Sequence, residues 1–203
     1  DWHTMFMYSK FAEENAHQHD GMTFKPWTSR KTLPNEKGNY YLTFDVELSS
    51  TWTTPSGDTS ICMNGHTISR PSGGGGPVIM VSSGLSLYSD EGEGEGILRM
   101  ADKTDSQLIS SAVDIRGGTF RLNGVTIDGT AKPSSYYGGG VKIGGGLFEM
   151  NSGKITNCNA RQGGGVYVSN SGTFRMNGGE ISGCSAGYGG GVNVHKGKLE
   201  INR

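Results

Sequence analysis

Short alternations of apolar and polar residues, separated by glycine clusters, run through the second half of the chain. Segments such as Val166-Tyr-Val168 and Phe174-Arg-Met176 alternate with a period of two residues, which is the side-chain period of a half-buried β-strand. Clusters of Gly, Asn and Ser end each alternation after a few residues, as is typical of turns. The pattern predicts an all-β fold built from many very short strands.

The same order of strands and turns recurs along the chain. A Gly-Gly-Gly-Val element occurs at 138–141, 163–166 and 189–192, and a Phe-x-Met-Asn-like element recurs at offsets of 25 to 28 residues, beginning at Phe120, Phe148, Phe174 and Leu199. One such unit cannot bury its own apolar face, but stacked units form parallel sheets around a continuous interior. We therefore expect a right-handed parallel β-helix solenoid, with rungs ~4.8 Å apart.

Stacking would place equivalent residues of successive rungs in columns. Three interior columns are expected: Phe120, Phe148, Phe174 and Leu199; Leu122, Met150, Met176 and Ile201; and Val113, Val141, Val166 and Val192. A structural asparagine ladder is expected at the end of the second strand, because Asn tolerates left-handed backbone and bonds across turns. Its members are Asn64, Asn123, Asn151, Asn177 and Asn202.

Charges of alternating sign occupy one outward column. Its members are Arg121, Glu149, Arg175 and Glu200, and the pairs Asp114 with Lys142 and Lys154 with Glu180 repeat the arrangement. Each opposed pair would contribute only ~0.2–1 kcal/mol, but stacked like charges would repel and so penalise a wrong register. These charges are therefore explained without an active site.

The stretch from Gly163-Gly-Gly-Val-Tyr-Val to Gly183-Cys-Ser-Ala resembles the pectate-lyase-like right-handed parallel β-helix repeats of large surface proteins of Gram-positive gut bacteria. The segment from Trp27 to Ile68 looks like the one that commonly precedes such repeats. The resemblance covers about residue 24 to the end and implies an extracellular or cell-surface location. It is specific for fold but not for activity, because lyases, hydrolases, adhesins and inert stalks share the architecture.

Two regions are expected. Residues 1–38 would form an N-terminal cap and lead-in segment, and 39–203 would form the β-helix rungs. Met5–Asn15 has the spacing of a short amphipathic helix, which could cap the first rung and its open sheet edge. The sequence stops within a repeat at Ile201-Asn-Arg203, so we expect the rungs to be truncated there.

Composition removes several partner classes. Glycine supplies 35 of the 203 residues at regular intervals, which a flexible linker would have no reason to keep. A formal net charge of −1 offers no basic face for nucleic acid. No stretch approaches the ~20 apolar residues that span a bilayer, so membrane insertion is not expected.

Few residues suggest chemistry. The three cysteines lack the spacing of a zinc motif, and the acidic insertion Ser89–Gly96 is interpreted as a solvated loop in preference to a weak Ca²⁺ site. We therefore expect neither metal nor cofactor.

Asp114 with Arg116, and Asp128, are the nearest acidic candidates for catalysis in the rungs, but they match no lyase or hydrolase set. His66 and His195 stand alone, so no catalytic residue is assigned and an enzyme is not expected.

Tyrosine and arginine mark the glycine turns. Tyr137, Arg161 with Gln162, and Tyr188 precede Gly-Gly-Gly elements, and Tyr167 lies in a neighbouring strand. Such residues suit both sugar rings and protein interfaces, although they could simply cover the turn backbone. The leading interpretation is a surface recognition module that binds host glycoprotein, host immunoglobulin or polysaccharide. The alternatives are a structural stalk, and a polysaccharide lyase or glycoside hydrolase.

Cys158 and Cys184 occupy equivalent positions in consecutive repeats. Stacking would bring their Cα atoms to ~5 Å, within the range that a disulfide tolerates. A buried column of reduced thiols would have the same spacing. Reduced thiols are favoured, because turn geometry need not offer the disulfide torsion, and either state requires the stacked register.

Overall fold

A computed structural model of the chain describes residues 17–70, 76–90, 92–100, 111–129 and 135–202. Every regular element in these ranges is a β-strand. The helical cap expected over Met5–Asn15 lies outside the described residues.

Three parallel sheets form the faces of a solenoid, and a short fourth sheet joins them in the later rungs. Sheet I contains β3 (Lys25–Trp27), β4 (Gly38–Leu42), β7 (Thr59–Cys62), β10 (Leu85–Tyr88), β13 (Thr119–Asn123), β17 (Leu147–Met150), β21 (Thr173–Met176) and β25 (Lys198–Ile201). Sheet II contains β5 (Val46–Glu47), β8 (Thr67–Ser69), β11 (Ile97–Arg99), β14 (Thr126–Asp128), β18 (Lys154–Thr156) and β22 (Glu180–Ser182). Sheet III contains β6 (Trp52–Thr53), β9 (Ile79–Val81), β12 (Val113–Ile115), β16 (Val141–Ile143), β20 (Val166–Ser169) and β24 (Val192–His195).

Sheet IV and a terminal hairpin complete the fold. Sheet IV contains β15 (Ser135–Tyr137), β19 (Asn159–Gln162) and β23 (Ser185–Tyr188), and the antiparallel hairpin consists of β1 (Gln18–His19) and β2 (Met22–Thr23). In each later turn the chain passes through sheets I, II, IV and III, and each strand pairs in parallel with its equivalent one turn away. The predicted parallel β-helix is confirmed. Parallel stacking already begins at β3, inside the segment 1–38 that was expected to cap and lead into the rungs.

The predicted columns are confirmed, except that the last members of the two columns in sheet I, Leu199 and Ile201, are exposed. The Phe–Phe–Phe–Leu and Leu–Met–Met–Ile columns are in register in sheet I, and the Val column is in register in sheet III. The three phenylalanines are fully buried, and consecutive rings stack with centroids 5.2 and 5.0 Å apart. Phenylalanine at the same position of successive rungs thus forms a continuous core, although each strand is only four or five residues long.

The asparagine ladder is confirmed in part. Amide groups hydrogen-bond in series from Asn202 to Asn177, Asn151 and Asn123, with N···O distances of 2.6, 2.8 and 2.9 Å. The prediction was wrong for Asn64, because the register places Cys62 in its column, and Asn64 bonds instead to the carbonyl of Leu42. Of the proposed members only Asn64 has a positive φ, so the ladder forms through amide–amide bonds rather than left-handed backbone.

The alternating charges form a connected column. Arg121 bonds Glu149 at 2.9 Å, Arg175 bonds Glu149 at 2.8 Å, and Arg175 bonds Glu200 at 2.6 Å. The hydrogen bond to Glu200, followed by that to Glu149, raises the pKa of Arg175. Opposite charges therefore stand in register along the outer face of sheet I, as predicted.

The Gly-Gly-Gly turns allow the backbones of successive rungs to pack closely. Gly138 has φ +63°, and a Cβ on Gly139 would lie 2.4 Å from the carbonyl oxygen of Gly164 in the next rung. Gly138, Gly139 and Gly140 are all buried. The backbone of this turn is therefore not open to a ligand, because the next rung covers it.

Candidate functional site

Four side chains around sheet IV form a surface that we call the tyrosine–arginine patch: Tyr136, Tyr137, Arg161 and Tyr188. The Arg161 guanidinium lies 4.9 Å from the centroid of the Tyr136 ring and donates a 2.5 Å hydrogen bond to its hydroxyl. The Tyr136 and Tyr137 rings meet edge to face at 4.9 Å. The sequence analysis did not predict a binding role for Tyr136, because this residue does not directly precede a glycine cluster.

Tyr188 extends the patch along the solenoid axis. Tyr137, Gln162 and Tyr188 are register partners on β15, β19 and β23, so Tyr137 and Tyr188 are two strand spacings, or ~9.6 Å, apart. The exposed fractions are 41% for Tyr136, 36% for Tyr137 and 65% for Tyr188. The patch therefore spans three rungs and offers aromatic surface to solvent.

Tyr167 does not offer a binding surface. Its ring lies 4.7 Å from the Tyr137 ring, and the residue is only 6% exposed. Burial, and then the neighbouring Tyr137, raise the pKa of Tyr167. The residue supports the patch from below, so its predicted direct role in binding is replaced by a positioning role.

The acidic candidates for catalysis lie on different faces. Asp114 is on β12 of sheet III, where it contacts Arg116 at 3.2 Å and Lys142 at 3.9 Å. Asp128 is on β14 of sheet II, 3.5 Å from Arg99. The two carboxylates therefore do not face each other as a catalytic pair would.

The two candidate histidines are also far from forming a shared site. His66 lies between β7 and β8 and contacts Asp45 at 3.2 Å. The backbone N–H of Thr67, and then the His66 side chain, lower the pKa of Asp45. His195 is exposed and ends β24. Neither imidazole lies beside Asp114 or Asp128 in the register of the sheets.

Four groups capable of binding a metal meet at the N-terminal end of sheet I: His17, His19, Cys62 and Glu93. Their ligand atoms all lie within 4.8 Å of one another. The His17 and His19 Nε2 atoms are 2.8 Å apart, and the Cys62 thiol donates to Glu93 Oε2 at 3.1 Å. Burial lowers the pKa of His17 and raises that of Cys62. Sequence spacing missed this cluster because three distant segments supply it.

Most described residues of the acidic insertion are exposed, as expected of a solvated loop, but hydrogen bonds also join the insertion to the solenoid. Ser89 bonds the carbonyl of Gly94 and the N–H of Gly96, and Glu95 accepts a 2.7 Å hydrogen bond from Thr126. The carbonyl oxygen of Glu93 packs so closely on Gly65 that a Cβ there would lie 2.3 Å away. The loop is folded against the solenoid, and this contact directs Glu93 toward the histidines.

Cys158 and Cys184 are free thiols in consecutive rungs, and the adjacent residues Asn159 and Ser185 are register partners. The Cys158 thiol donates to the carbonyl of Thr156 at 3.2 Å, and the Cys184 thiol donates to the carbonyl of Ser182 at 3.4 Å. The interaction between the two neighbouring thiol groups lowers the pKa of Cys184 to about 7, and that interaction, together with burial, raises the pKa of Cys158. The predicted stacking of the two cysteines is thus confirmed.

The chain matches no protein-family model, no curated protein and no solved structure. Among the described residues, no helix is long and apolar enough to cross a membrane. A functional assignment must therefore rest on the surfaces of the solenoid itself.

Proposed function

We propose that the chain is an extracellular or cell-surface recognition module that binds carbohydrate chains, on host glycoproteins or in polysaccharides, through the tyrosine–arginine patch. The observation that carries the proposal is the exposure of three tyrosine side chains on the strands of sheet IV, with an arginine against one of them. The C–H face of a sugar packs on aromatic rings, while its hydroxyls need hydrogen-bonding groups at the ring edges. Tyrosine and arginine together supply both kinds of contact.

The shape of the patch suits an elongated ligand. Parallel stacking repeats the surface along the solenoid axis, with Gln162 between Tyr137 and Tyr188. A ligand lying along this axis could contact one ring, an amide and a second ring in succession. A linear glycan is such a ligand, because its sugar units repeat along its length.

The positions of the rings are fixed before binding. Tyr137 rests on the buried Tyr167, and Arg161 holds the hydroxyl of Tyr136. Ordering these side chains on binding would cost ~0.5–1.5 kcal/mol each if they were free. A preformed patch avoids much of this cost, so even a shallow site could retain a ligand.

A glycan array with the wild-type chain and a variant tests the proposal. The variant combines Tyr136→Ala, Tyr137→Ala and Tyr188→Ala; Tyr167 is left in place because it is buried. We expect retention of a subset of glycans, and at least tenfold weaker binding by the variant, equivalent to ~1.4 kcal/mol.

A matched control uses another exposed aromatic–arginine pair. The Arg30 guanidinium lies 3.7 Å from the Phe44 ring centroid, and Phe44 is 37% exposed. Combining Arg30→Ala with Phe44→Ala should leave glycan binding unchanged. Circular dichroism would confirm that both variants are folded.

Three results would reject the proposal that the chain binds glycans through this patch. Unchanged glycan binding by the folded tyrosine variant would place the site elsewhere. Capture of an enzymatically deglycosylated immunoglobulin, without glycan binding, would indicate a protein partner. Retention of no glycan and no host protein would favour a stalk.

A further inference from the structure

We propose that His17, His19, Cys62 and Glu93 form a structural Zn²⁺ site that fastens the N-terminal hairpin and the acidic loop to sheet I. Two imidazole nitrogens, one thiolate and one carboxylate oxygen form a set that zinc binds in tetrahedral geometry. Four protein ligands leave no open position for a substrate, as is usual in structural zinc sites. The inference is independent of the tyrosine–arginine patch, which lies on sheet IV.

The atoms already converge on one point. In a zinc tetrahedron with bonds of ~2.0–2.3 Å, neighbouring ligand atoms lie roughly 3.3–3.7 Å apart. Here the two Nε2 atoms are 2.8 Å apart, Cys62 Sγ is 3.1 Å from Glu93 Oε2, and His19 Nε2 is 4.0 Å from that oxygen. The short distances must open by under ~1 Å, and separations of up to 4.8 Å must close by roughly 1–1.5 Å to reach this tetrahedral spacing, within the reach of side-chain torsions.

The hydrogen bonds around the histidines favour a cation between them. His19 Nδ1 lies 2.8 Å from Asp90 Oδ2, and His17 Nδ1 lies 3.4 Å from Glu93 Oε1. If both Nδ1 atoms donate to these carboxylates, both neutral rings direct Nε2 lone pairs at each other across 2.8 Å. A metal ion would accept both lone pairs. The Asp90–His19 contact is the carboxylate–histidine arrangement that orients zinc-binding imidazoles.

Charge balance also favours a divalent ion. The thiolate of Cys62 and the carboxylate of Glu93 carry two negative charges, and neutral imidazoles add none, so a bound Zn²⁺ makes the group neutral. Cys62 and His19 are buried, and the His17 side chain is only 14% exposed. A neutral cluster is compatible with such burial, whereas the two anions without a cation would not be. Zinc would displace the thiol proton on binding.

Cys62 is fully buried, but it lies in a small hydrophobic cluster with Phe24 and Tyr88 that is separate from the main core. Its register partners are Tyr41 and Tyr88, whose column continues into the outward asparagine ladder. The rings of His17 and His19 stack on those two tyrosines at 4.5 and 5.1 Å. These contacts hold both imidazoles over the thiol, and they link the hairpin to the outer face of sheet I.

The decisive experiment titrates the metal-free chain with Zn²⁺ and, for spectroscopy, with Co²⁺. We expect one equivalent to bind, the melting temperature to rise, and the cobalt form to show thiolate-to-metal charge transfer with the intense d–d bands of a tetrahedral site. Cys62→Ser and His19→Ala should each weaken Zn²⁺ binding by more than about 100-fold. Asp90→Asn should weaken it about 10–100-fold, the range for a residue that orients a ligand.

Matched controls are present in the same chain. Cys184→Ser removes another thiol, and His195→Ala removes an exposed imidazole; both variants should bind Zn²⁺ like the wild type. In the wild-type chain, Zn²⁺ should protect Cys62 from alkylation after partial opening by mild denaturant, while Cys184 stays as reactive as without the ion. This internal comparison does not depend on the folding of any variant.

Equal Zn²⁺ affinity in the wild type and Cys62→Ser would overturn the proposal. So would a cobalt spectrum without thiolate charge transfer, or alkylation of Cys62 that Zn²⁺ does not slow. Binding of Ca²⁺ in preference to Zn²⁺ would also overturn it, because an oxygen-selective site would not use the thiolate.

Discussion

At the residue scale, side chains that face each other in successive rungs change each other's chemistry. Cys158 and Cys184 show this most directly, because the neighbouring Cys158 thiol lowers the pKa of Cys184 to about 7. Cys184 is half-buried, whereas Cys158 is buried. Reactivity should therefore be concentrated at Cys184.

We predict that alkylation of Cys184 by iodoacetamide rises through a midpoint near pH 7. The lowered pKa means that the thiolate, which is the nucleophile, predominates above this pH and is lost below it. Cys158→Ala removes the neighbouring thiol and should move the midpoint up toward the ordinary value of ~8.5. The measurement is the rate of peptide modification against pH by mass spectrometry. An unchanged midpoint in the variant would contradict the assigned cause.

The zinc ligands show where residue-level reading of the sequence was insufficient. The sequence predicts Asn64 in the asparagine ladder, but the register puts Cys62 in that column, and Asn64 bonds to the carbonyl of Leu42. The hairpin that carries His17 and His19 consists of two-residue strands, too short to produce an alternation. Their proximity to Glu93 depends on tertiary packing that no local pattern encodes.

At the element scale, ladders connect strands that are too short to be stable alone. Asn151 accepts from Asn177 and donates to Asn123, so one amide links three rungs. The bonds are exposed, and each should contribute near the lower end of the ~0.5–1.5 kcal/mol range.

We therefore predict that Asn151→Ala lowers the free energy of unfolding by about 1 kcal/mol, because two bonds are lost. Ser152→Ala changes the adjacent exposed residue and should have an effect within ~0.5 kcal/mol. Urea denaturation followed by circular dichroism compares the two variants with the wild type. Equal stability of all three chains would show that the ladder contributes no net free energy.

Repetition explains which elements the sequence could predict. The later rungs were predicted correctly, down to the partners of Phe148 and Arg175, because each position recurs three or four times. The burial of Tyr167 could not be predicted, since it depends on the direction in which the Tyr137 ring lies across it. The strands of sheet IV could likewise not be distinguished from turns. They begin with Ser135, Asn159 and Ser185, which are residue types that also mark turns.

At the scale of the whole molecule, each rung contacts mainly its neighbours, as in other solenoids. Interior strands β13 and β17 pair on both sides, whereas β25 pairs only with β21 within the described part of the chain. Ile201 on β25 is 66% exposed, while its column partner Met150 is fully buried. Stability should therefore be graded along the axis.

We predict that amide hydrogen exchange is slowest in β13 and β17 and at least ~100-fold faster in β25, equivalent to ~2.8 kcal/mol of opening free energy. Exchange measured by mass spectrometry at fixed pH tests this gradient. Uniform protection over these strands would show instead that the whole solenoid opens as one unit.

The parallel register also determines how the molecule would respond to mechanical load. The hydrogen bonds between rungs run along the solenoid axis, and equivalent ladder residues are 28, 26 and 25 positions apart. A force pulling the C-terminal strand along that axis would peel one turn before loading the next. Each step would release roughly 90 Å of extended chain, so the protein would lengthen in discrete increments while its remaining turns stay folded.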